Sequence, residues 1–368
     1  MSESPFVMVV ILNWNGEQDT IEAVRSVRGL DYPQLATVRS AGLSPSSPDQ
    51  SPDSPQPQTV QAVRSAGLSP SSPDRGSDCP QRRAEARTTY CQLQTVVVDN
   101  GSRPESPAAI HAAFPDLECV ETGRNLGYAG GNNIGLRLAM ERGAEFCLIL
   151  NNDVTVDPGM LRALVDAAQG DPAAAVLGPR VYRYDKPMEL FYTGWKIDWR
   201  RWLFHRVPAD LSNAPLLDVD FVQGCALMVR TSFVREHGMF DERFFLYCED
   251  ADLCVRARKA GLRTVEVPAA RVWHKGYGSS GRQSPLKAYY GLRNRLLFIA
   301  KHAPPENQLR LRAHLLIFDA GGQALRACAG LCGGNWREAW LTLWALGGAV
   351  ADWVAGRYGP GPDWLLRR

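Results

Sequence analysis

The chain lacks a dominant charge: 41 Lys and Arg stand against 39 Asp and Glu, leaving +2 at pH 7. That excludes the basic footprint of a nucleic-acid-binding protein, so no nucleic-acid partner is expected, while small anionic ligands need only local charge. Nine cysteines are scattered without a single Cys-x-x-Cys pair, and reduced thiols in a cytoplasmic protein are expected. Met1 to Leu12 has neither the basic start nor the cleavage site of a signal peptide. The longest apolar run near the end, Ala339 to Ala351, falls short of the roughly 20 residues that a membrane-spanning helix needs. Peripheral membrane contact stays open; spanning is not expected.

What is present is an alternation. Phe6–Leu12 is an apolar, β-branched run that stops at Asn13-Trp14-Asn15-Gly16, the pattern of a strand buried on both faces. Helical spacing follows from Thr20 to Leu30. Further strand-like runs are Leu93–Val98, Leu117–Glu121, Phe146–Leu150 and Ala175–Leu177, with helical stretches between them that include Gly131–Arg142 and Pro158–Ala168. Such alternation predicts an α/β domain whose mostly parallel sheet gathers ligands at the carboxyl ends of its strands. Asn13–Gly16, Asp99–Ser102 and Asn151–Asp153 all fall there.

From about residue 34 to 88 the composition turns to Ser, Pro, Gln and Arg, and VRSAGLSPSSPD occurs twice, from Val38 and from Val63. A segment so poor in apolar residues cannot offset its ordering entropy, so a disordered insertion is expected. It joins the first helix to the second strand, at the sheet edge away from the ligand side.

Taken in order, ILNWNG, VVVDNGS, GRNLGYAGGNN, LILNND, FDERFFLYCEDADLC and VWHKGYGSSG resemble the family 2 glycosyltransferases, in their rhamnosyltransferase-like branch. One motif alone would be weak; six in sequence are specific. The resemblance runs from about Pro5 to Ala303 and implies a GT-A fold, a nucleotide-diphospho-sugar transferase domain over 1–303 followed by a helical tail over 304–368. The implied reaction is an inverting displacement, in which an acceptor hydroxyl attacks the anomeric carbon while the nucleotide diphosphate leaves. It needs a base, a leaving-group stabiliser and a grip on the donor.

For the grip, the resemblance implies that Asp99 accepts from the imide N–H of a uracil or thymine, the bland alternative being an Asx-turn with Gly101. Asn13, Arg124, Asn125, Gly127, Asn151 and Asn152 complete the donor-binding set, with Gly127, Gly130 and Gly131 permitting close backbone approach to the nucleotide. Asp153 after an apolar strand can bind a divalent cation, Mn²⁺ or Mg²⁺, that also holds the diphosphate; the alternative is a cap on the next helix. Asn151 stands where the more familiar DxD pattern has a carboxylate. His274 matches the family position of a further metal ligand and would favour Mn²⁺. Lys275, Ser279, Ser280 and Arg282 would form a phosphate flap nearby.

Asp250 is the base that the resemblance assigns, with Glu249 beside it positioning the acceptor. Both open a helical run, where the helix dipole favours an ionised carboxylate. Gly224 is expected to let the acceptor approach the backbone, and Trp195 to stack on a sugar ring unless it is core. In the tail, helices are expected over Ser284–His302, Glu306–Cys328 and Trp336–Arg357. Trp336, Trp340, Trp344 and Trp353 with Arg337, Arg357, Arg367 and Arg368 suit either an interfacial membrane helix or packing onto the catalytic domain. The resemblance, with Asp99, implies as donor a deoxythymidine diphosphate deoxysugar such as rhamnose, and the Trp- and Arg-bearing tail leads to the expectation of a lipid-linked glycan acceptor at the cytosolic membrane face. The alternatives are a sugar nucleotidyltransferase, whose Gly-rich basic loop is missing after the first strand, and an inactive nucleotide-binding scaffold, against which the Glu249-Asp250 pair argues.

Overall fold

Strand β1 (Val7–Asn13) has no polar face to offer water, and the fold gives it none: Val7, Val9 and Ile11 enter one hydrophobic core while Met8 and Val10 enter the other. Each such side chain contributes roughly 1.5–3 kcal/mol by leaving water. A computed structural model describes residues 5–32, 93–200, 203–207, 215–276, 284–332 and 336–366. All of them lie in one unit of the chain.

After β1 come α1 (Glu17–Arg28), β2 (Leu93–Asp99), α2 (Glu105–Ala113), β3 (Glu118–Glu121), α3 (Gly127–Glu141) and β4 (Phe146–Asn151). The short β5 (Val154–Val156) precedes α4 (Met160–Gly170) and the long β6 (Ala174–Arg183). β7 (Leu190–Tyr192), β8 (Trp195–Asp198), β9 (Leu203–Arg206) and β10 (Leu217–Asp218) lead into β11 (Ala226–Arg230), α5 (Thr231–His237), α6 (Glu249–Lys259) and β12 (Arg263–His274). The tail carries α7 (Pro285–His302), α8 (Pro305–His314), α9 (Gly321–Cys332), α10 (Trp336–Val354) and α11 (Asp363–Leu366).

The main sheet runs β10-β12-β6-β11-β4-β1-β2-β3, with β5 on β12 and β7 on β6. β1 pairs in parallel with β2 and β4, β2 with β3, and β12 with β6. β11 reverses, antiparallel to both β4 and β6. The mostly parallel α/β sheet is as expected; the reversed strand in its middle is not signalled by alternation. Its consequence is local: the turn entering β11 lands beside the carboxyl end of β4, where Asn151 N–H donates to the Cys225 carbonyl at 2.9 Å. That juxtaposition builds the site.

α3 lies close on β1 because Gly131 and Gly135 bring no side chain; an added Cβ would run into Leu12 or Val10. Gly130 is likewise filled, by Leu126. These two glycines of the GYAGG motif, 130 and 131, therefore serve packing rather than the nucleotide approach expected of them.

The tail helices fall close to the expected spans, except that a π-helical turn at Leu315–Ala320 interrupts the middle one. On α10, Ala339, Ala345, Leu346 and Ala349 face inward, while Trp336, Trp340 and Trp344 are 64%, 59% and 68% exposed. Trp353 is half-buried beneath the Arg312 guanidinium, and Arg357 is paired with Asp352. One face of this helix is therefore packed inward, and the other leaves three tryptophans exposed. Arg367 and Arg368 lie outside the described residues. Among the described residues no helix is long and apolar enough to cross a membrane.

The Ser/Pro insertion lies outside the described residues, but its flanks do not. Tyr32 donates its hydroxyl to the Pro5 carbonyl, and Leu93 pairs with Val7. Both flanks therefore meet the sheet at the amino ends of β1 and β2, opposite to Asn13 and Asp99.

Candidate functional site

At the carboxyl ends of β1, β2 and β4 a cleft of about 270 Å³ opens, lined by Trp14, Asn15, Asp19, Asn100, Asn125, Gly127, Tyr128, Asn151, Asn152 and Asp153. Phe245, Leu246, Leu286 and Leu366 close its apolar side. Asn125, Gly127, Asn151, Asn152 and Asp153 were expected. Asp19, Tyr128, Leu246, Leu286 and Leu366 were not named as ligands, nor were Trp14, Asn15 and Asn100 singly, although Trp14, Asn15, Asn100, Tyr128 and Leu246 lie within the quoted motifs. Leu366 comes from the last helix of the described chain, which no motif connects to the site.

Asn13 is not part of the lining; it is the hub beneath it. Its Nδ2 donates to Asp99 at 2.6 Å, Ser106 at 3.1 Å and Ser102 at 3.2 Å, and its Oδ1 accepts from Thr20 at 2.8 Å and from Gly16 N–H at 3.2 Å. An amide so saturated has nothing left for a donor, so the expected direct contact of Asn13 is corrected to a positioning role. Asp99, 2% exposed, holds Asn13 with one oxygen and the Ser102 N–H with the other. Each oxygen keeps a lone pair, so the turn contact and a contact to a ring N–H are compatible. Arg124 is exposed, and its backbone lies against Gly101.

Asn100 spans the neighbouring loops: Nδ2 donates to the Gly127 carbonyl at 3.0 Å and Oδ1 accepts from Leu126 N–H at 2.9 Å. Gly127 has φ +72°, and a Cβ there would strike Phe245. Asn152 reaches back to the Gly16 carbonyl and Thr20, both at 3.2 Å.

The antiparallel pairing of β5 with β12 sets Val154 opposite His274, so Asp153 and His274 meet, Nε2 to Oδ1 at 3.1 Å. Asp153 precedes a strand, and the next helix takes its N-cap from Gly159; the capping alternative fails. Burial opposes charge on His274, but the Cys225 side chain and the Asp153 carboxylate outweigh it and carry its pKa to about 10. His274 Nδ1 is buried without a partner. An acid and an imidazole so paired fit a cation such as Mn²⁺ as two ligands. Among the described residues no group of three or more His, Cys, Asp or Glu is placed to hold a metal ion, so further ligands would come from elsewhere. Lys275 is held by Asp19 and Glu22, each at 2.6 Å; Ser279, Ser280 and Arg282 lie outside the described residues.

Asp250 accepts from Gly224 N–H at 2.9 Å and from Ala251 N–H at 2.8 Å, while Tyr128 donates its hydroxyl to the Gly224 carbonyl. A Cβ on Gly224 would lie 3.1 Å from both Asp250 and Tyr128. The glycine thus permits the close approach of these two side chains, a role that the sequence did not signal. Burial pushes the Asp250 carboxyl above its ordinary range despite these donors. Glu249 is raised well above, by burial and then by the Asp250 charge. Desolvation therefore outweighs the helix dipole that was expected to keep the pair ionised.

Trp195 lies away from the cleft. Its ring is stacked parallel on Phe221 at 5.7 Å and carries the Arg206 guanidinium at 5.3 Å, so protein groups take up the contacts that a sugar ring was expected to make.

Residues 81–237 match the family model Glycosyl transferase family 2. Over 261 residues the chain is 31% identical to the N-acetylglucosaminyl-diphospho-decaprenol L-rhamnosyltransferase of Mycobacterium tuberculosis, covering 61% of this chain and 83% of that one. It is 29% identical over 206 residues to the low-salt glycan biosynthesis hexosyltransferase Agl10 of Haloferax volcanii, covering 55% and 66%. In fold it is similar to the mannosyltransferase PcManGT from Pyrobaculum calidifontis, solved with GDP-Man and Mn²⁺, at a TM-score of 0.51 and 16% identity over 97% of this chain and 89% of that one. With a cleft at the strand ends and its motifs in order around it, the chain belongs to the family 2 glycosyltransferases, is rhamnosyltransferase-like within them, and is a GT-A-fold enzyme that transfers sugars.

Proposed function

We propose that the enzyme moves rhamnose, with inversion, from deoxythymidine diphosphate rhamnose to a hydroxyl of a lipid-linked cell-envelope glycan at the cytoplasmic membrane face. The observation that carries the mechanism is one continuous chain of contacts: Asp250 to Gly224, Cys225 to Asn151, and, two residues on, Asp153 to His274. A base at one end and, at the other, a position able to hold a cation that stabilises the leaving diphosphate are what an in-line displacement needs.

Asp250 takes the acceptor proton. Its two backbone donors fix the carboxylate, and burial moves its pKa toward neutrality, which strengthens it as a base. Glu249 turns the acceptor hydroxyl toward it. Asp153 and His274 would hold a divalent cation, which when bound neutralises charge on the departing diphosphate. Asn125, Asn151 and Asn152 orient the donor, and Asp99 receives the imide N–H of thymine. The donor and acceptor follow from similarity to the mycobacterial rhamnosyltransferase, whose name states a decaprenol-linked substrate. Membrane contact is supported by the exposed Trp336, Trp340 and Trp344, one helical face of aromatic rings suited to the headgroup level.

The test is a panel of radiolabelled nucleotide sugars incubated with the enzyme and a membrane lipid extract. Label is expected in the lipid fraction from the dTDP-sugar, and excess EDTA or Asp153→Ala should remove it. Incorporation from UDP-hexoses alone would overturn the donor, full activity in EDTA the metal, and failure to pellet with anionic liposomes the membrane contact.

A further inference from the structure

The residues that introduce Glu249 and Asp250 are held in an unfavourable backbone. Phe245, Tyr247 and Cys248 have φ of 62°, 72° and 73°, the left-handed region that side chains of this bulk avoid. Such backbone persists only where the surroundings over-determine it. α6 has no side-chain cap at its start, so the restraint comes from elsewhere.

It comes from α7. Asn294, fully buried, directs its two amide hydrogens at three carbonyls of this loop: Phe244 at 2.6 Å, Leu246 at 2.7 Å and Tyr247 at 2.9 Å. Its own oxygen accepts from Arg293 Nε at 3.1 Å. Arg293, 1% exposed, donates further to the carbonyls of Arg243 and Phe244, both at 3.4 Å, and of Gly359 at 2.8 Å. Its guanidinium lies 5.1 Å from the Tyr289 ring and 5.0 Å from the Tyr290 ring. The remaining carbonyl, of Phe245, turns the opposite way and accepts from Ala129 N–H at the start of α3. The peptide planes before the two carboxylates are thus alternately fixed by α7 and α3. Neither Asn294 nor Arg293 lines the cleft.

We propose that Asn294, backed by Arg293, is a positioning residue for the reaction: by pinning this loop it sets the place and the burial of Asp250 and Glu249. The inference rests on Asp250 as base. The titratable groups around the pair are Tyr128 of α3, Cys225 before β11, Cys248, and Asp252 and Cys254 of α6 itself, with Arg295 of α7 the cation acting on Cys248. None of these is altered by changing Asn294, so a shift in the pair's titration would report its placement.

The test compares Asn294→Leu, close in size but without donors, with wild type and Asp250→Asn, using whichever nucleotide sugar labels the lipid extract. For Asn294→Leu the turnover should fall roughly 10²-fold, the loss that a misplacement of about 1 Å can cause, with the donor KM within about twofold. The acid limb of the turnover–pH profile should move to lower pH as the loosened loop admits water to the carboxylates. That midpoint does not depend on how much of the protein is folded, so a lower Tm with an unmoved midpoint would overturn the proposal by showing a structural role alone. If Asn294→Leu does not fold, Arg293→Lys serves instead: it keeps the charge and loses the fork, and the midpoint should shift in the same direction, an unmoved one again overturning the idea. Full turnover in Asp250→Asn would instead sink the assignment of the base.

Discussion

Asn13 and Glu249 are both buried polar residues, and they differ in how their atoms are satisfied. Asn13 meets five partners through ordinary strand-end geometry. Glu249 has an oxygen, Oε2, buried without a partner, sits against a second carboxylate, and follows three residues in left-handed backbone. A saturated network gives a rigid surface, which suits holding a donor. An unsatisfied, desolvated pair is costly to the fold and raises the basicity of its members, which suits moving a proton. The difference teaches where this molecule concentrates strain: Phe245, Tyr247 and Cys248, bulky residues with positive φ, precede the base, while at the grip only Asn15, of a type that tolerates this region, has positive φ among the described non-glycine residues.

The sharpest way to break that comparison is Asp250→Asn. The amide keeps the size of the side chain and loses the basicity, so turnover should fall roughly 10²–10⁴-fold, while donor affinity, held by the Asn13 side of the cleft, should be unchanged. Equilibrium binding of the nucleotide sugar and single-turnover transfer, measured on one preparation, separate the two. A matching loss of donor affinity would mean that the two regions are one unit.

Much of this contrast was legible before the fold was known, and the reasons are physical. Parallel strands buried on both faces read as continuous apolar runs, so Phe6–Leu12 and Phe146–Leu150 announced β1 and β4, and the polar residues after them announced the cleft. Asp153 with His274, and Asp250 with Glu249, came from ordered motifs. What stayed hidden depends on long-range pairing. The reversed β11 has the same apolar signature as a parallel strand, and its direction decides that Gly224 meets Asp250. Asn13 looked like a ligand because its saturation comes from Ser102 and Ser106, nearly 90 residues away in sequence. The Arg293-Asn294 pair read as an ordinary helix interior, because the carbonyls it serves belong to a loop about 50 residues earlier.

A smaller effect sharpens the comparison from the stability side. Glu249 has a folded-state pKa raised well above 4.5, so the folded state binds its proton more tightly than the unfolded chain. Its contribution is therefore least unfavourable below the unfolded value and becomes a growing cost as pH rises above it. Glu249→Gln removes that cost. Scanning calorimetry should show no change at pH 4 and a gain at pH 8 of roughly 2–4 °C, the shift that about 1 kcal/mol produces in a domain of this size or somewhat smaller. Asn13→Ala should instead lower Tm at both pH values, because the buried Asp99 and the hydroxyls of Ser102 and Ser106 lose a partner. A Glu249→Gln protein less stable than wild type at pH 8 would show that the carboxylate has a partner when the enzyme is in solution.

The smallest effect is expected from the largest change. Removing residues 34–88 and joining the flanks with a short Gly/Ser linker should leave Tm and turnover close to wild type. The argument rests on the flanks. Tyr32 is anchored to Pro5 and Leu93 is paired with Val7, so each junction is held by groups that the deletion keeps. Both junctions sit at the amino ends of β1 and β2, and the seven residues of β2 at about 3.3 Å each put roughly 20 Å between Leu93 and the Asp99 end of the cleft. The two junctions therefore lie at the end of the sheet opposite to the network around Asn13. Loop closure also changes slowly with length, by about 0.6 kcal/mol for each doubling, so shortening the connection should if anything stabilise slightly. Turnover, donor KM and Tm of the deleted and full-length proteins measure this directly. A loss of transfer with Tm preserved would give the repeat a part in the reaction that its point of entry into the sheet does not suggest.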